Sequence, residues 1–301
     1  TVLSATLGGE NVGYANGKLV AGDEYKANLR KHGMQTLKVT AQKDGKYYNV
    51  IANVLVVTQD ITTFDELKTA LKFDENKVKF GYYRLKNDLS GYNWYQSEND
   101  VGGGIWKNPN GELGFRGTFD GNNLSIRETF WNTGLFGYIG KGAVIKNLTI
   151  NNKQYQGDNG NFNTLFGYSM MGATMDKVTI NILQGGKADI ATNAAGGLLT
   201  CLGGYGNTLK NVTINAKGLA IDTLFGTGCW FNYPEGYAPN TFENCFITAK
   251  SIVGLACTDN ANKVVTPCGG IDGLTVTLIL DAITAEGTLE IGKEFAVPGV
   301  G

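Results

Sequence analysis

The sequence predicts an all-β protein: a right-handed parallel β-helix (solenoid) with a short N-terminal capping helix, preceded by a small β-sandwich module. Three observations predict it. Six segments repeat one bend-and-strand pattern at intervals of 24, 30, 34, 33 and 29 residues. A second column of short apolar segments, each close to a glycine, runs ahead of them. A helix-start signal stands just before the repeats begin. Periods in this range mark stacked architectures, and right-handed crossover is the general rule for parallel connections.

The six segments end at Ile126, Ile150, Ile180, Ile214, Ile247 and Val276. A representative one is Ile145-Lys-Asn-Leu-Thr-Ile150. Its fourth and sixth positions are apolar, with Thr between, which is the inward–outward–inward alternation of a strand. The third position is Asn123, Asn147, Lys177, Asn211, Asn244 and Gly273 in turn. Asn and Gly best tolerate left-handed backbone. Each unit is therefore expected to bend sharply there, and stacking should superpose these residues as a ladder. The second column is Leu135-Phe136-Gly137, Leu165-Phe166-Gly167, Leu198-Leu199 and Leu224-Phe225-Gly226. Loops of different length between the two columns explain the varying period.

Ahead of the repeats, Thr63-Phe-Asp-Glu66 fits a capping box, with Thr63 as N-cap and Glu66 three residues on. Phe64, Leu67, Ala70 and Leu71 share one helical face, so a helix is predicted over about 63–72. Its expected task is to cover the open end of the solenoid, where core and strand edges are exposed. Earlier still, Asp44-Gly45 separates two β-rich runs and predicts a hairpin. The run from Gly33 through that hairpin to Val57-Thr58 resembles the C-terminal half of bacterial immunoglobulin-like modules, which implies a spacer on a surface protein. The organisation predicted is residues 1–58 as this partial immunoglobulin-like module, 59–285 as the β-helix with its cap, and 286–301 as a tail that reads as the start of a further β module.

Phe115-Arg-Gly-Thr-Phe-Asp-Gly-Asn-Asn-Leu-Ser-Ile126 and Thr133-Gly-Leu-Phe-Gly, continuing to Gly142-Ala-Val-Ile-Lys-Asn-Leu-Thr-Ile150, resemble a family of bacterial surface β-helix proteins. The resemblance spans about residues 78–280 and implies a pectate-lyase-like fold and an extracellular or cell-surface location. It does not imply lyase activity. The first residues read as the interior of a longer, multi-module chain.

Composition narrows the chemistry. Lys and Arg number 26 against 27 Asp and Glu, so no basic face is advertised and nucleic acid is not an expected partner. No run is long enough to span a bilayer. Five cysteines, Cys201, Cys229, Cys245, Cys257 and Cys268, include no CxxC pair, so no metal site or cofactor is predicted. Cys245 reads as a core filler, with a disulfide left open among the others. His32 is the single histidine and lies in the N-terminal module, which removes Ser-His and Cys-His catalysis from the helix. Asp88, Asp100, Glu112 and Asp120 are the densest acids, and a convergent pair would suit glycoside hydrolysis. Asp120-Gly-Asn-Asn also suits a plain turn. No catalytic residue is assigned. Three sequons, at Asn123, Asn147 and Asn211, are explained by the repeat.

Two aromatic clusters stand out as ligand-binding candidates. One is Tyr82, Tyr83, Tyr92, Trp94, Tyr95 and Trp106; the other contains Trp230, Phe231, Tyr233 and Tyr237. Flat aromatic faces with polar edges suit sugar rings, and equally suit packing. The leading functional expectation is non-enzymatic adhesion, by binding a glycan or host protein through loops on the scaffold. A structural stalk and a carbohydrate-active enzyme (polysaccharide lyase or glycoside hydrolase) are the alternatives.

Overall fold

The computed structural model describes residues 1–71, 78–94, 112–130, 134–152, 164–167, 169–183, 197–200, 204–225, 239–254, 256–259, 264–266 and 271–278. The N-terminal part carries strands β1 (Val2–Leu7), β2 (Glu10–Asn11), β3 (Gly13–Ala15) and β4 (Lys18–Val20), then helix α1 (Asp23–Ala27), β5 (Gly33–Lys43) and β6 (Lys46–Val56). β2-β1-β5-β6 form one antiparallel sheet, and β3–β4 a separate hairpin. The expected β5–β6 turn is present, with Asp44 and Gly45 at φ 51° and 73°, as a two-residue hairpin with right-handed strand twist requires. The four-stranded sheet is accompanied by the β3–β4 hairpin, which contacts β1.

Parallel pairing starts at β7 (Gln59–Ile61), followed by helix α2 (Phe64–Leu71). The capping box is made in both directions: Glu66 N–H donates to Thr63 Oγ1 at 3.2 Å, and Thr63 N–H donates to Glu66 Oε2 at 3.1 Å. Thr62 adds its own N–H and hydroxyl to the same carboxylate, which holds Glu66 below the usual carboxylate range. Leu67, Ala70 and Leu71 are buried and join the main core at the β7 end.

The remaining strands are β8 (Val78–Lys79), β9 (Tyr82–Leu85), β10 (Leu89–Trp94), β11 (Gly114–Phe115), β12 (Thr118–Phe130), β13 (Tyr138–Ile139), β14 (Val144–Asn152), β15 (Ser169–Met171) and β16 (Thr174–Ile182). They continue with β17 (Gly204–Tyr205), β18 (Thr208–Lys210), β19 (Thr213–Thr223), β20 (Thr241–Glu243), β21 (Cys245–Gly254), β22 (Ala256–Asp259), β23 (Val264–Thr266) and β24 (Leu274–Leu278). An eleven-stranded sheet runs β24-β21-β19-β16-β14-β12-β9-β7, with β10, β18 and β20 attached to it. A five-stranded sheet runs β17-β15-β13-β11-β8. Among the described residues, all strand pairs within these two sheets are parallel. Parallel neighbours need a long return path. Among the described residues no helix supplies it; in the units from β8 to β17, the chain visits the smaller sheet between visits to the larger one.

One core lies between the two sheets. Phe115, Ile139 and Met170 of the smaller sheet belong to the same buried cluster as the larger sheet's inward residues. Those residues stand in columns: Phe119, Ile145, Met175, Leu209 and Phe242 are opposite one another in turn. So are Ile126, Ile150, Ile180, Ile214, Ile247 and Val276, the six segment ends. Between the columns the phenyl rings of Phe136 and Phe166 stack 6.5 Å apart at 13°.

The bends fall at the third position of every unit. Asn123, Asn147, Lys177, Asn211 and Asn244 have φ of 61°, 51°, 55°, 52° and 53°, and Gly273 has 79°. The first unit differs from the motif alignment. Asp120 is opposite Lys146 and Leu124 is opposite Leu148, so β12 spends three residues where β14 spends one, and Asn122 is left-handed too at 54°. Lys177 is the one residue of the column that lacks either the Asn amide or the Gly backbone, and left-handed geometry costs an ordinary side chain about 1–2 kcal/mol. Lys177→Asn should therefore raise stability by about 1 kcal/mol, and Lys177→Val should lower it by at least as much. Urea midpoints of the two variants against the parent chain are the check.

Candidate functional site

Of the seven aromatic candidates, Trp94 has its backbone at the end of β10, opposite Phe130. Tyr95, Trp106, Trp230, Phe231, Tyr233 and Tyr237 lie outside the described residues. What the structure does fix is where the second cluster's segment leaves and returns. Phe225 sits opposite Thr200, which sits opposite Gly167. This places the fourth Leu-Phe segment one residue out of step with the motif alignment. The shift brings the Phe225 ring over Gly204, where a Cβ would lie 2.1 Å from the ring. On the return, Asn240 donates to Gly204 O at 2.6 Å and accepts from Asn207 at 2.9 Å. Residues 226–238 are thus held between two anchored points of the stack. In the first cluster, Tyr82 and Tyr83 are buried. Tyr83 packs its ring on Phe115 at 5.9 Å and donates to Phe80 O, and Tyr82 donates to Asp120, so neither ring is an open sugar platform.

The most ordered polar feature is a column of charges that runs across successive strands. Asp60, Arg84, Asp120, Lys146, Asp176, Lys210 and Glu243 are opposite one another in seven successive strands, and their signs alternate without a break. Arg84 grips Asp60 with two nitrogens, at 2.8 and 3.2 Å. Lys146 lies 3.6 Å from Asp120, and Lys210 lies 2.7 Å from Glu243. Exposed ion pairs of this kind contribute about 0–1 kcal/mol each.

Asp120 is the exception, being 7% exposed. Its carboxylate accepts from the Tyr82 hydroxyl, from Asn122 N–H at 2.8 Å and from the Asn147 amide at 3.0 Å. Burial pushes its pKa up, but Tyr82, Asn147, Asn122 and Lys146 together outweigh burial and hold it below the usual carboxylate range. Tyr82 is driven well above the ordinary phenol value by its own burial and then by Asp120. The Lys146 ammonium also sits 5.2 Å from the centre of the Tyr82 ring. At neutral pH the pair is therefore a fixed carboxylate and a fixed hydroxyl, with no proton to exchange.

The expected ladder of bend residues is only partly made. Asn244 donates to Asn211 at 2.9 Å, but Asn211 and Asn147 turn to Asp176 and Asp120, each at 3.0 Å. A carboxylate is the stronger acceptor, and Lys177 has no acceptor to offer in the middle of the column. The longer asparagine ladder is elsewhere: Asn215 donates to Asn181 at 2.7 Å, and Asn181 to Asn151 at 2.8 Å. Its signal was the thrice-repeated Thr-Ile-Asn at 149–151, 179–181 and 213–215.

The three described members of the dense acids are each bound to a different partner. Asp88 accepts from Ser125 N–H and hydroxyl at 2.6 and 3.0 Å. Glu112 pairs with Arg116 at 2.7 Å. Asp120 belongs to the column, and Asp100 lies outside the described residues. Among the described residues no group of three or more His, Cys, Asp and Glu stands close enough to hold a metal ion. No described helix is long and apolar enough to cross a membrane. Cys245 is a buried free thiol whose pKa burial pushes up, as suits a core filler. His32 lies at the seam of the N-terminal sheet and β9: its Nδ1 is 2.7 Å from Thr58 Oγ1, which also accepts from Tyr82 N–H.

No protein-family model matches this chain, and comparison with curated proteins and with solved structures finds no match.

The sign of the acid response follows from Asp120. Its folded-state pKa is lowered, so its stabilisation is complete above the ordinary carboxylate value of about 4 and is lost as pH falls through the lower folded value. Asp120→Asn should cost about 1–3 kcal/mol at pH 7 and should flatten the loss of stability below pH 4. Urea midpoints measured from pH 7 down to pH 2.5 for both chains test this.

Proposed function

We propose that the chain is a right-handed parallel β-helix of a secreted or cell-surface bacterial protein, and that it acts as a non-enzymatic scaffold for adhesion. The observation that carries this reading is the register of the stack. Equivalent residues 24 to 34 positions apart face one another across six units, although the chain inserted between fixed points varies. Between Asn152 and Thr164 it is 11 residues, between Leu183 and Gly197 it is 13, and between Phe225 and Pro239 it is again 13. A scaffold that holds its columns while its connections vary suits display of binding segments.

Residues 226–238, with Trp230, Phe231, Tyr233 and Tyr237, are the proposed contact segment for a glycan or host protein. The charged side chains of the stack support this placement from the other side. Asp60, Arg84, Asp120, Lys146, Lys210 and Glu243 are engaged with neighbours in their own column. The reading gives no step of covalent chemistry to Asp88, Glu112 or Asp120, because each is held by donors of its own. A plain stalk is the second reading, favoured by the unbroken alternation of the charge column.

The 301-residue chain should bind a subset of a glycan array or a panel of host surface proteins, and Trp230→Ala with Tyr233→Ala should weaken that binding by roughly tenfold or more. Unchanged binding in the variants removes this segment from the reading. No binding to either panel leaves the stalk.

A further inference from the structure

The four-stranded N-terminal sheet has two unlike edges. β2, at one edge, is two residues long, and its Glu10 is paired with Lys31. β6, at the other, is eleven residues long and pairs with β5 in one unbroken register. Edge strands are ordinarily blunted by shortness, charge, proline or a bulge. From Lys46 to Val56 the one charged residue is Lys46, at the start, and there is no proline. Among the described residues no strand pairs with the outer side of β6.

The open part of this edge has clear limits. Lys46 to Ile51 are all exposed, with Tyr47, Tyr48, Val50 and Ile51 at 68%, 47%, 53% and 70%. Val54, Leu55 and Val56 are partly covered as the chain approaches β7. The hairpin decides which backbone groups face outward. Lys43 is opposite Lys46 across the two-residue turn, so these two exchange hydrogen bonds, and the ladder repeats that bonding at Tyr48, Val50 and Ala52. On β5, Thr36 and Gln42 accordingly bond the other way, to Gly8 and Thr1 at the two ends of β1. The N–H and C=O groups of Tyr47, Asn49 and Ile51 therefore lie along the open edge.

We propose that the partner of this edge is β6 of a second copy of the chain, paired antiparallel about a two-fold axis through Asn49. Turned about that residue, Tyr47-Tyr-Asn-Val-Ile51 sets Tyr47 opposite Ile51 and Tyr48 opposite Val50. Each pair occurs twice, one kind on each face of the sheet, and aromatic against β-branched is a favourable cross-strand combination. Lys46 meets Ala52, so no charge meets its like. Asn49 meets itself, and its amide both donates and accepts, as do the amides of the Asn151–Asn181–Asn215 ladder. The residues with outward backbone groups are set opposite one another in the same register. An axis through Val50 would set the tyrosines against Asn53 and Ala52, and one through Ile51 would draw in the partly covered Leu55 and Val56. This self-match about one residue selects a second copy over a strand of another protein. A two-fold contact occupies the same edge on both copies and closes, so the product is a dimer with one continuous sheet. It does not depend on what residues 226–238 bind.

Sedimentation equilibrium of the 301-residue chain tests this. Its mean mass should rise from one copy toward two between about 1 and about 100 µM and go no higher, as for a Kd on the order of 10 µM. Asn49→Lys sets two ammonium groups against each other on the axis and should weaken the association by about tenfold or more. Asn49→Cys should give a disulfide-linked dimer on mild oxidation that the parent chain does not give, because Cα atoms paired at about 5.5 Å are within disulfide reach. Ile51→Cys should not, since its two copies lie four residues apart along the strands, about 14 Å. The cysteine pair adds no charge and reads the register independently of any folding defect in the lysine variant. A chain that stays monomeric at every concentration overturns the proposal, as does a mass that climbs beyond two copies. Association that survives Asn49→Lys overturns it, and so does linkage through Ile51→Cys as ready as through Asn49→Cys.

Discussion

In-register parallel pairing is the constraint on which the rest of the structure depends. Once a strand is paired to its equivalent about thirty residues later, every side chain faces its own counterpart at about 4.8 Å. Each column must then be made of residues that tolerate their own kind at that distance. Isoleucine does, and Ile126, Ile150, Ile180, Ile214 and Ile247 fill a buried column with one shape. Asparagine does, because its amide both donates and accepts, as in Asn151, Asn181 and Asn215. A charge does not. Two like charges at that spacing repel by about 1 to 3.5 kcal/mol for an effective dielectric constant between 80 and 20. The seven-residue column from Asp60 to Glu243 satisfies the constraint by alternating sign. Its pairs are individually weak, so its main effect is on register: a strand displaced by one residue would set charges against apolar columns.

The bends and the strand ends were legible in the sequence because they depend on local backbone chemistry. A bend residue, Asn in four of six units, before two apolar positions flanking one other residue is a statement about φ at one position, and six copies made it readable. The capping box at Thr63 and Glu66 and the turn at Asp44-Gly45 are local in the same way. The charge column was not legible, because its meaning lies between units. Lys146, Asp176, Lys210 and Glu243 occupy the second position of four aligned segments, yet a search for clustered acids passes over acids separated by lysines. The register shift at Asp120 hid the column's first link, since the motif alignment set Asn122 against Lys146 where the structure sets Asp120. The one-residue shift at Phe225 was hidden for the same reason: either register leaves Leu224 and Phe225 fully buried.

The two ends of the stack meet different conditions. A parallel stack leaves an unsatisfied edge and an open core wherever it stops. At the β7 end, α2 supplies Leu67, Ala70 and Leu71 to the core, and the N-terminal sheet joins through the His32–Thr58–Tyr82 contact and Arg30 over the Phe80 ring at 3.9 Å. Within residues 1–58 the buried hydrophobic side chains are Ala5 and Tyr25, in contrast to the continuous core beside them.

The register constraint also bears on where chemistry can reside. A carboxylate that serves as a general acid must hold a proton near neutral pH and release it, so its surroundings must favour the neutral form. Asp120 has the opposite surroundings: three hydrogen-bond donors and an ammonium all favour its charged form. Asp60 is held low in the same way, first by the Arg84 hydrogen bond. The requirement that the column alternate in sign thus fixes these acids as anions, and a residue recruited to the column is withdrawn from proton transfer. On the proposed reading, recognition comes from side chains outside the columns, and the sequence puts Trp230, Phe231, Tyr233 and Tyr237 in the segment 226–238.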